Sequence, residues 1–162
     1  MEITYRPIGV IHSPFTDLKG MPIQPTGEAS APGSADVFPE FAEGLKDLEG
    51  FSHVILIYHL HGVRKAELTV TPFLGSEPHG IFATRAPTRP NAIGLSIVQL
   101  VKVERNILHL ANLDILDGTP LLDIKPYVPD FDAPSEARVG WLEAARDRVK
   151  SAKSDDRFTP VS

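Results

Sequence analysis

The chain has 162 residues, 42% of them apolar and 23% charged, with a mean hydropathy near zero, the composition of a soluble globular protein of one domain long enough to bury a core. Zero cysteines exclude disulfides, thiolate nucleophiles and Cys-ligated metal centres, and the lack of a membrane-length apolar run or a basic-then-apolar leader makes the cytoplasm the expected location. A net charge of −5 argues against indiscriminate nucleic-acid binding, which rests on phosphate neutralisation, but allows a local basic patch.

Ile3 to Ile11 carries Ile3, Tyr5, Ile8, Val10 and Ile11 and stops at Ser13-Pro14, the pattern of a first strand ended by a turn. From Phe15 to Gly33 the chain is loop-like, and a loop of that length is more often functional or mobile than merely connecting. Phe41, Leu45 and Leu48 at helical spacing predict a short helix over Glu40 to Leu48, ended by Gly50. Val54-Ile55-Leu56-Ile57-Tyr58 reads as a strand buried on both faces and runs into His59-Leu60-His61-Gly62.

Glu67 to Pro72 is a further expected strand, with a turn-rich link from Phe73 to His79. The stretch from Gly80 to Ser96 is the densest in chemistry. Pro87 and Pro90 stiffen a loop that carries Arg85 and Arg89, which suits recognition of a carboxylate or phosphate, against the plainer reading of a Pro-rich connection with two ordinary surface arginines. Ile93 to Val103 and Ile107 to Leu113 form an expected hairpin through Glu104-Arg105-Asn106, and Leu121 to Val128 a last strand. Ala137, Trp141, Ala145 and Val149, four apart, predict an amphipathic helix from about Ser135 to Ala152, followed by a polar tail from Ser154. Many short strands with Gly/Pro turns and few helices predict a mainly β domain, a sandwich or small barrel.

Two further groupings invite chemistry. His59 and His61 share a face if their strand continues, as two metal ligands can, but the spacing to Glu67 is too long for an H-x-H metal site and the favoured reading is one buried, hydrogen-bonded histidine with its neighbour in solvent. Asp114 with Asp117 and Asp123 suits acid/base work or a diol or cation, against the plainer reading that they cap the Asp117-Gly118 turn.

Gly80-Ile81-Phe82-Ala83-Thr84-Arg85, Arg89-Pro90-Asn91, Ile93-Gly94-Leu95-Ser96 and the run from Asp114 to Tyr127 closely resemble the TsaA-like family, which includes the TrmO-type tRNA methyltransferases. The resemblance covers residues 3–132 and implies a single-domain β-barrel, with residues 133–153 as a C-terminal amphipathic helix and 154–162 as a flexible tail. It implies a homodimer that binds S-adenosylmethionine, no metal, and methylation of N6 of threonylcarbamoyladenosine in a tRNA anticodon loop. The cofactor positions carried over are Gln24, Pro25, Thr26, His61, Gly62, Arg85, Leu95, Asp114, Ile115, Leu116 and Asp117. Asp117 is the first candidate base and His61 the second, while Arg89, Asn91 and Lys125, with Arg64, Lys65 and the basic residues after Ser135, are candidate tRNA contacts. Ala92 and Thr26 stand where the family usually has proline and glycine, and the extra C-terminal domain of longer members is not seen. A cofactor-binding sensor without transferase activity is the alternative.

Overall fold

The structure is a computed structural model that describes residues 1–22 and 31–148 together with Lys153, Asp155 and Phe158. Its body is a closed antiparallel barrel of six strands. Around the barrel run β1 (Gly9–His12), β2 (Gly33–Val37), β7 (Ile107–Ala111), β6 (Ile93–Glu104), β3 (His53–His59) and β8 (Thr119–Pro126), and β8 closes onto β1. A two-stranded ribbon of β4 (Thr69–Val70) and β5 (His79–Gly80) lies beside it. A single helical turn, α1 (Pro129–Asp132), follows β8.

Alternation along the strands builds the core. On β3, Val54, Leu56 and Tyr58 point inward, and they meet Ile11, Val37, Val98, Leu108 and Leu121 from the other strands. Ile55 and Ile57 are only half-buried, so β3 is not covered on both faces as its composition suggests. A closed barrel has one interior, and the outer face of each strand is left to solvent or to a partner.

Other expectations shift at their ends. The first strand starts at Gly9 rather than Ile3; Pro7 has no N–H for a ladder, and Ile3 and Tyr5 are exposed. In place of one helix over 40–48 there are two 3₁₀ turns, Pro39–Leu45 and Leu48–Gly50, separated where Asp47 takes φ 66°. The expected strand at 67–72 contracts to β4, and the last strand begins two residues earlier than Leu121. β2 was not anticipated, since Gly33-Ser34-Ala35-Asp36-Val37 is weakly apolar. It is a strand because its backbone is paired by β1 and β7.

The hairpin between β6 and β7 turns at Arg105 (φ 58°), and Asn106 Nδ2 donates to the Val37 carbonyl at 2.6 Å, tying the turn to β2. The expected long C-terminal helix is a 3₁₀ segment, Gly140–Arg148, entered through Gly140 at φ 59°. Of its apolar stripe, Ala137 is exposed, Trp141 half-buried and Ala145 buried, and Val149 lies outside the described residues. Among the described residues no helix is long and apolar enough to cross a membrane.

Candidate functional site

A cavity of about 850 Å³ opens at the end of the barrel where β3 finishes and β6 begins. Its lining comes from Tyr58 to Val63 leaving β3, Phe82 to Arg89 from the proline-stiffened loop, Ile93 to Leu95 entering β6 and Asp114 to Leu116 after β7, with Leu18, Met21 and Pro22, Pro72 to Leu74, Asp155 and Phe158 at its sides. Trp141 and Leu142 add a wall from the C-terminal segment. That wall is pinned to the loop, because Trp141 Nε1 donates to the Ala83 carbonyl at 2.8 Å and the indole stacks on His79 with centroids 4.4 Å apart.

A buried polar chain at this site ends on Asp114. Ser96 is fully buried, and its Oγ donates to Asp114 Oδ1 at 2.6 Å. Tyr58 OH lies 2.9 Å from the same Oγ. A serine hydroxyl has one proton, and Ser96 gives it to the carboxylate, so Tyr58 is the donor in its contact with Ser96. Burial raises the Asp114 carboxyl to about 6; the Ser96 hydrogen bond, its own backbone N–H and the nearby Arg85 guanidinium oppose that rise. Burial, and secondarily the Asp114 charge, pushes the Tyr58 phenol well above the usual tyrosine range.

This arrangement depends on glycine. Tyr58 faces Gly94 across the β3–β6 ladder, and a Cβ at 94 would collide with the Tyr58 ring. At Gly62 a Cβ would come within 3.3 Å of side-chain methyls of Leu116 and Leu18, so its absence lets the loop after β3 close against the 114–116 segment.

His61 follows the end of β3, which stops at His59, so the two histidines do not continue one strand face. Thr119 Oγ1 donates to the Leu116 carbonyl at 2.6 Å and lies 3.2 Å from His61 Nδ1. The threonine proton is thus committed, and His61 must donate from Nδ1, which leaves the lone pair of the neutral ring on Nε2. Among the described residues no group of three or more His, Asp or Glu is placed to hold a metal ion.

The structure brings His61, Gly62, Arg85, Leu95, Asp114, Ile115 and Leu116 to this one cavity. Gln24, Pro25 and Thr26 lie outside the described residues. Asp117 is not in the wall. Its Oδ1 accepts from the Ser13 N–H at 3.0 Å and pairs with His12 at 3.5 Å, so the carboxylate braces the turn where β1 ends. Asn91 and Lys125 are also off the cavity, and Lys125 is paired with Asp123 at 2.9 Å.

Arg89 does line the cavity, but its Nη1 is within donor distance of three carbonyls, those of Ile81 (3.2 Å), Thr84 (3.0 Å) and Ala86 (3.3 Å). This guanidinium ties its own loop together before it can serve any ligand. Arg89→Ala is therefore expected to destabilise the protein by about 1.5–3 kcal/mol, the scale of hydrogen bonds to a charged group. Hydrogen exchange at 81–86 should speed up while the barrel strands keep their protection, and unchanged exchange there would remove the loop-tying role.

Tyr58, Ser96, Gly94 and Trp141 were not singled out from sequence as site residues. Gly94 and Ser96 lie inside the resembling motif, and strand alternation puts both on the inner face of β6. Trp141 carries only the signal of an amphipathic stripe.

The family model for the tRNA-methyltransferase O N-terminal domain matches residues 10–133. A probable S-adenosyl-L-methionine-binding protein of Pyrococcus abyssi is 56% identical over 98% of this chain and 86% of its own length. A mouse tRNA (adenine(37)-N6)-methyltransferase is 39% identical over 82% of this chain, which corresponds to 32% of the mouse protein. The crystal structure of TrmO from Pseudomonas aeruginosa superposes with a TM-score of 0.73 at 42% identity, covering 87% of this chain and 63% of the crystallised one. The chain thus spans less than two thirds of the TrmO structure it matches.

Proposed function

We propose, on the premise that this chain belongs to the tRNA-methyltransferase O N-terminal domain family, that its cavity binds S-adenosylmethionine and that the protein methylates N6 of threonylcarbamoyladenosine in a tRNA anticodon loop. The observation that carries the reading is the joint presence of the Asp114 carboxylate and the Arg85 guanidinium in one largely apolar cavity, which His61, Arg89 and Asp155 also line. The volume of about 850 Å³ is in the range of small-molecule sites. The donor set suits the cofactor: an anion for its cationic groups or ribose hydroxyls, a guanidinium for its carboxylate, and Leu60, Leu95 and Leu116 for its adenine.

When bound, S-adenosylmethionine supplies a methyl carbon activated by the adjacent sulfonium. The work of the chain is then to orient the cofactor and exclude water, and positioning of this kind can supply much of the acceleration. An acceptor nitrogen conjugated to a carbonyl is a poor nucleophile, so a base helps. His61 Nε2 fits that part, since Nδ1–H is held by Thr119 and the ring borders the cavity. Asp117 serves instead as a brace at the turn. The exposed Arg64 and Lys65 follow the His61-Gly62 turn and are candidate phosphate contacts.

A homodimer in the cytoplasm completes the reading. The outer face of β3 and β6 presents half-buried Ile55, Ile57 and Ile97 with Ile93 and Leu95, 42% and 47% exposed, and this stripe reaches the cavity mouth at Leu95. A solution mass of two chains by light scattering is expected; a monomer would remove this part.

The deciding experiment is transfer of a labelled methyl group from S-adenosylmethionine to bulk tRNA, beside tRNA from cells unable to make threonylcarbamoyladenosine. Incorporation only into the first sample is expected. No incorporation into either, with cofactor binding retained, would favour the sensor alternative.

A further inference from the structure

Two hydroxyls are buried beneath the cavity, and their bonding leads to one place. Leu56 and Tyr58 on β3 pair with Ser96 and Gly94 on β6, so all four positions face the barrel interior. The space left by Gly94 is filled by the Tyr58 ring, and the phenol oxygen reaches Ser96. Tyr58 and Ser96 are 7% and 0% exposed, in a barrel whose remaining interior is built almost wholly from Val, Leu, Ile and Ala. Burying a hydroxyl among such groups is costly unless it is hydrogen-bonded, and an apolar pair of the same shape would serve the core as well. The two hydroxyls are satisfied only as a chain, Tyr58 to Ser96 to Asp114.

We propose that Tyr58 and Ser96 are positioning residues that clamp Oδ1 of Asp114 from below, fixing the carboxylate's orientation and charge so that its other oxygen is presented to a cationic or hydroxyl group of the bound ligand. Neither acts on the reacting atoms; both act through Asp114. The proposal rests on the reading of the cavity as an S-adenosylmethionine site. The groups that act on the carboxyl are the Arg85 guanidinium from the loop and the Tyr58 phenol from β3, and the other charged or titratable residues lining the same cavity are His61, Arg89 and Asp155.

The sign of the effect follows from the bonding. Ser96 donates to the carboxylate and so favours its ionised form against burial, which has already raised the carboxyl to about 6. Removing the donor moves the titration further up. Removing Tyr58 OH weakens the Ser96 donor by loss of polarisation and moves it less. In the ligand-free protein the carboxyl holds its proton more tightly when folded than when unfolded. Stability therefore rises as pH falls from about 6 towards the usual carboxylate range, while binding of a cation weakens across that window.

The test is a ¹³C NMR titration of the Asp114 carboxyl in the parent, Ser96→Ala and Tyr58→Phe, with affinity for S-adenosylmethionine measured at pH 8 and pH 6. Both substitutions only delete atoms, and melting curves check that the barrel survives. The expected result is a parent midpoint near 6, an upward shift in Ser96→Ala and a smaller one in Tyr58→Phe. Affinity should stay within a few-fold of the parent at pH 8 but fall about fivefold more than the parent's at pH 6, because a midpoint one unit above 6 cuts the ionised fraction there from about a half to about a tenth. Midpoints unchanged in both variants would overturn the proposal. If the parent fails to bind S-adenosylmethionine at either pH while the midpoints move as expected, the ligand reading fails and the positioning role stands.

Discussion

Asp114→Asn is expected to cut affinity for S-adenosylmethionine about 10- to 100-fold, the equivalent of ~1.5–3 kcal/mol for one hydrogen bond to a charged group. The substitution keeps the shape of the side chain and one oxygen to accept from Ser96, so the polar chain beneath it can persist. What it removes is the buried carboxylate that sits beside Arg85 in the cavity, while Asp155, the other acidic residue in the lining, is left in place. Because the carboxyl is withdrawn from water at a cost, visible in its rise to about 6, Asn should leave the melting temperature at neutral pH unchanged or higher. Loss of binding without loss of stability marks a residue retained for its ligand. Calorimetric titration and thermal melts, run side by side, give both quantities, and equal affinity in mutant and parent would take Asp114 out of the binding account.

Gly94→Ala should damage both stability and binding, for a steric reason. The new methyl occupies the place of the Tyr58 ring, which is 7% exposed within the barrel's core cluster and cannot tilt freely. Overpacking of this kind costs about 1–3 kcal/mol, roughly 2–10 °C of melting temperature at this chain length. Displacing the ring also breaks the 2.9 Å contact with Ser96 and so loosens Asp114. Combining Gly94→Ala with Tyr58→Leu frees the space and should restore most of the stability but not the binding. If the double mutant is as unstable as the sum of the two single changes, the two residues are not coupled and the steric explanation fails.

Residue type and turn chemistry made the β6–β7 hairpin readable from residues alone, because Ile93 to Val103 and Ile107 to Leu113 are β-branched or leucine-rich runs on either side of a polar Glu104-Arg105-Asn106 turn. The same local signals indicated the mainly β class, and the long motifs around Arg85 and Asp114 pointed to the family and to the segments that meet at the cavity. Local pattern carries such information because it is written over two to ten neighbouring residues.

The remaining features are set by contacts between residues far apart in the chain. β2 has no apolar run of its own and exists because β1 and β7 leave it two open edges. Asp114 and Asp117 are three residues apart and equally acidic, yet the fold turns one into the cavity over Ser96 and the other onto the Ser13 N–H. Arg89, which spacing alone makes a surface cation, is drawn inward by three carbonyls of its own loop. A carboxylate or a guanidinium takes its role from the partners that surround it, and those partners are assembled only when the barrel closes.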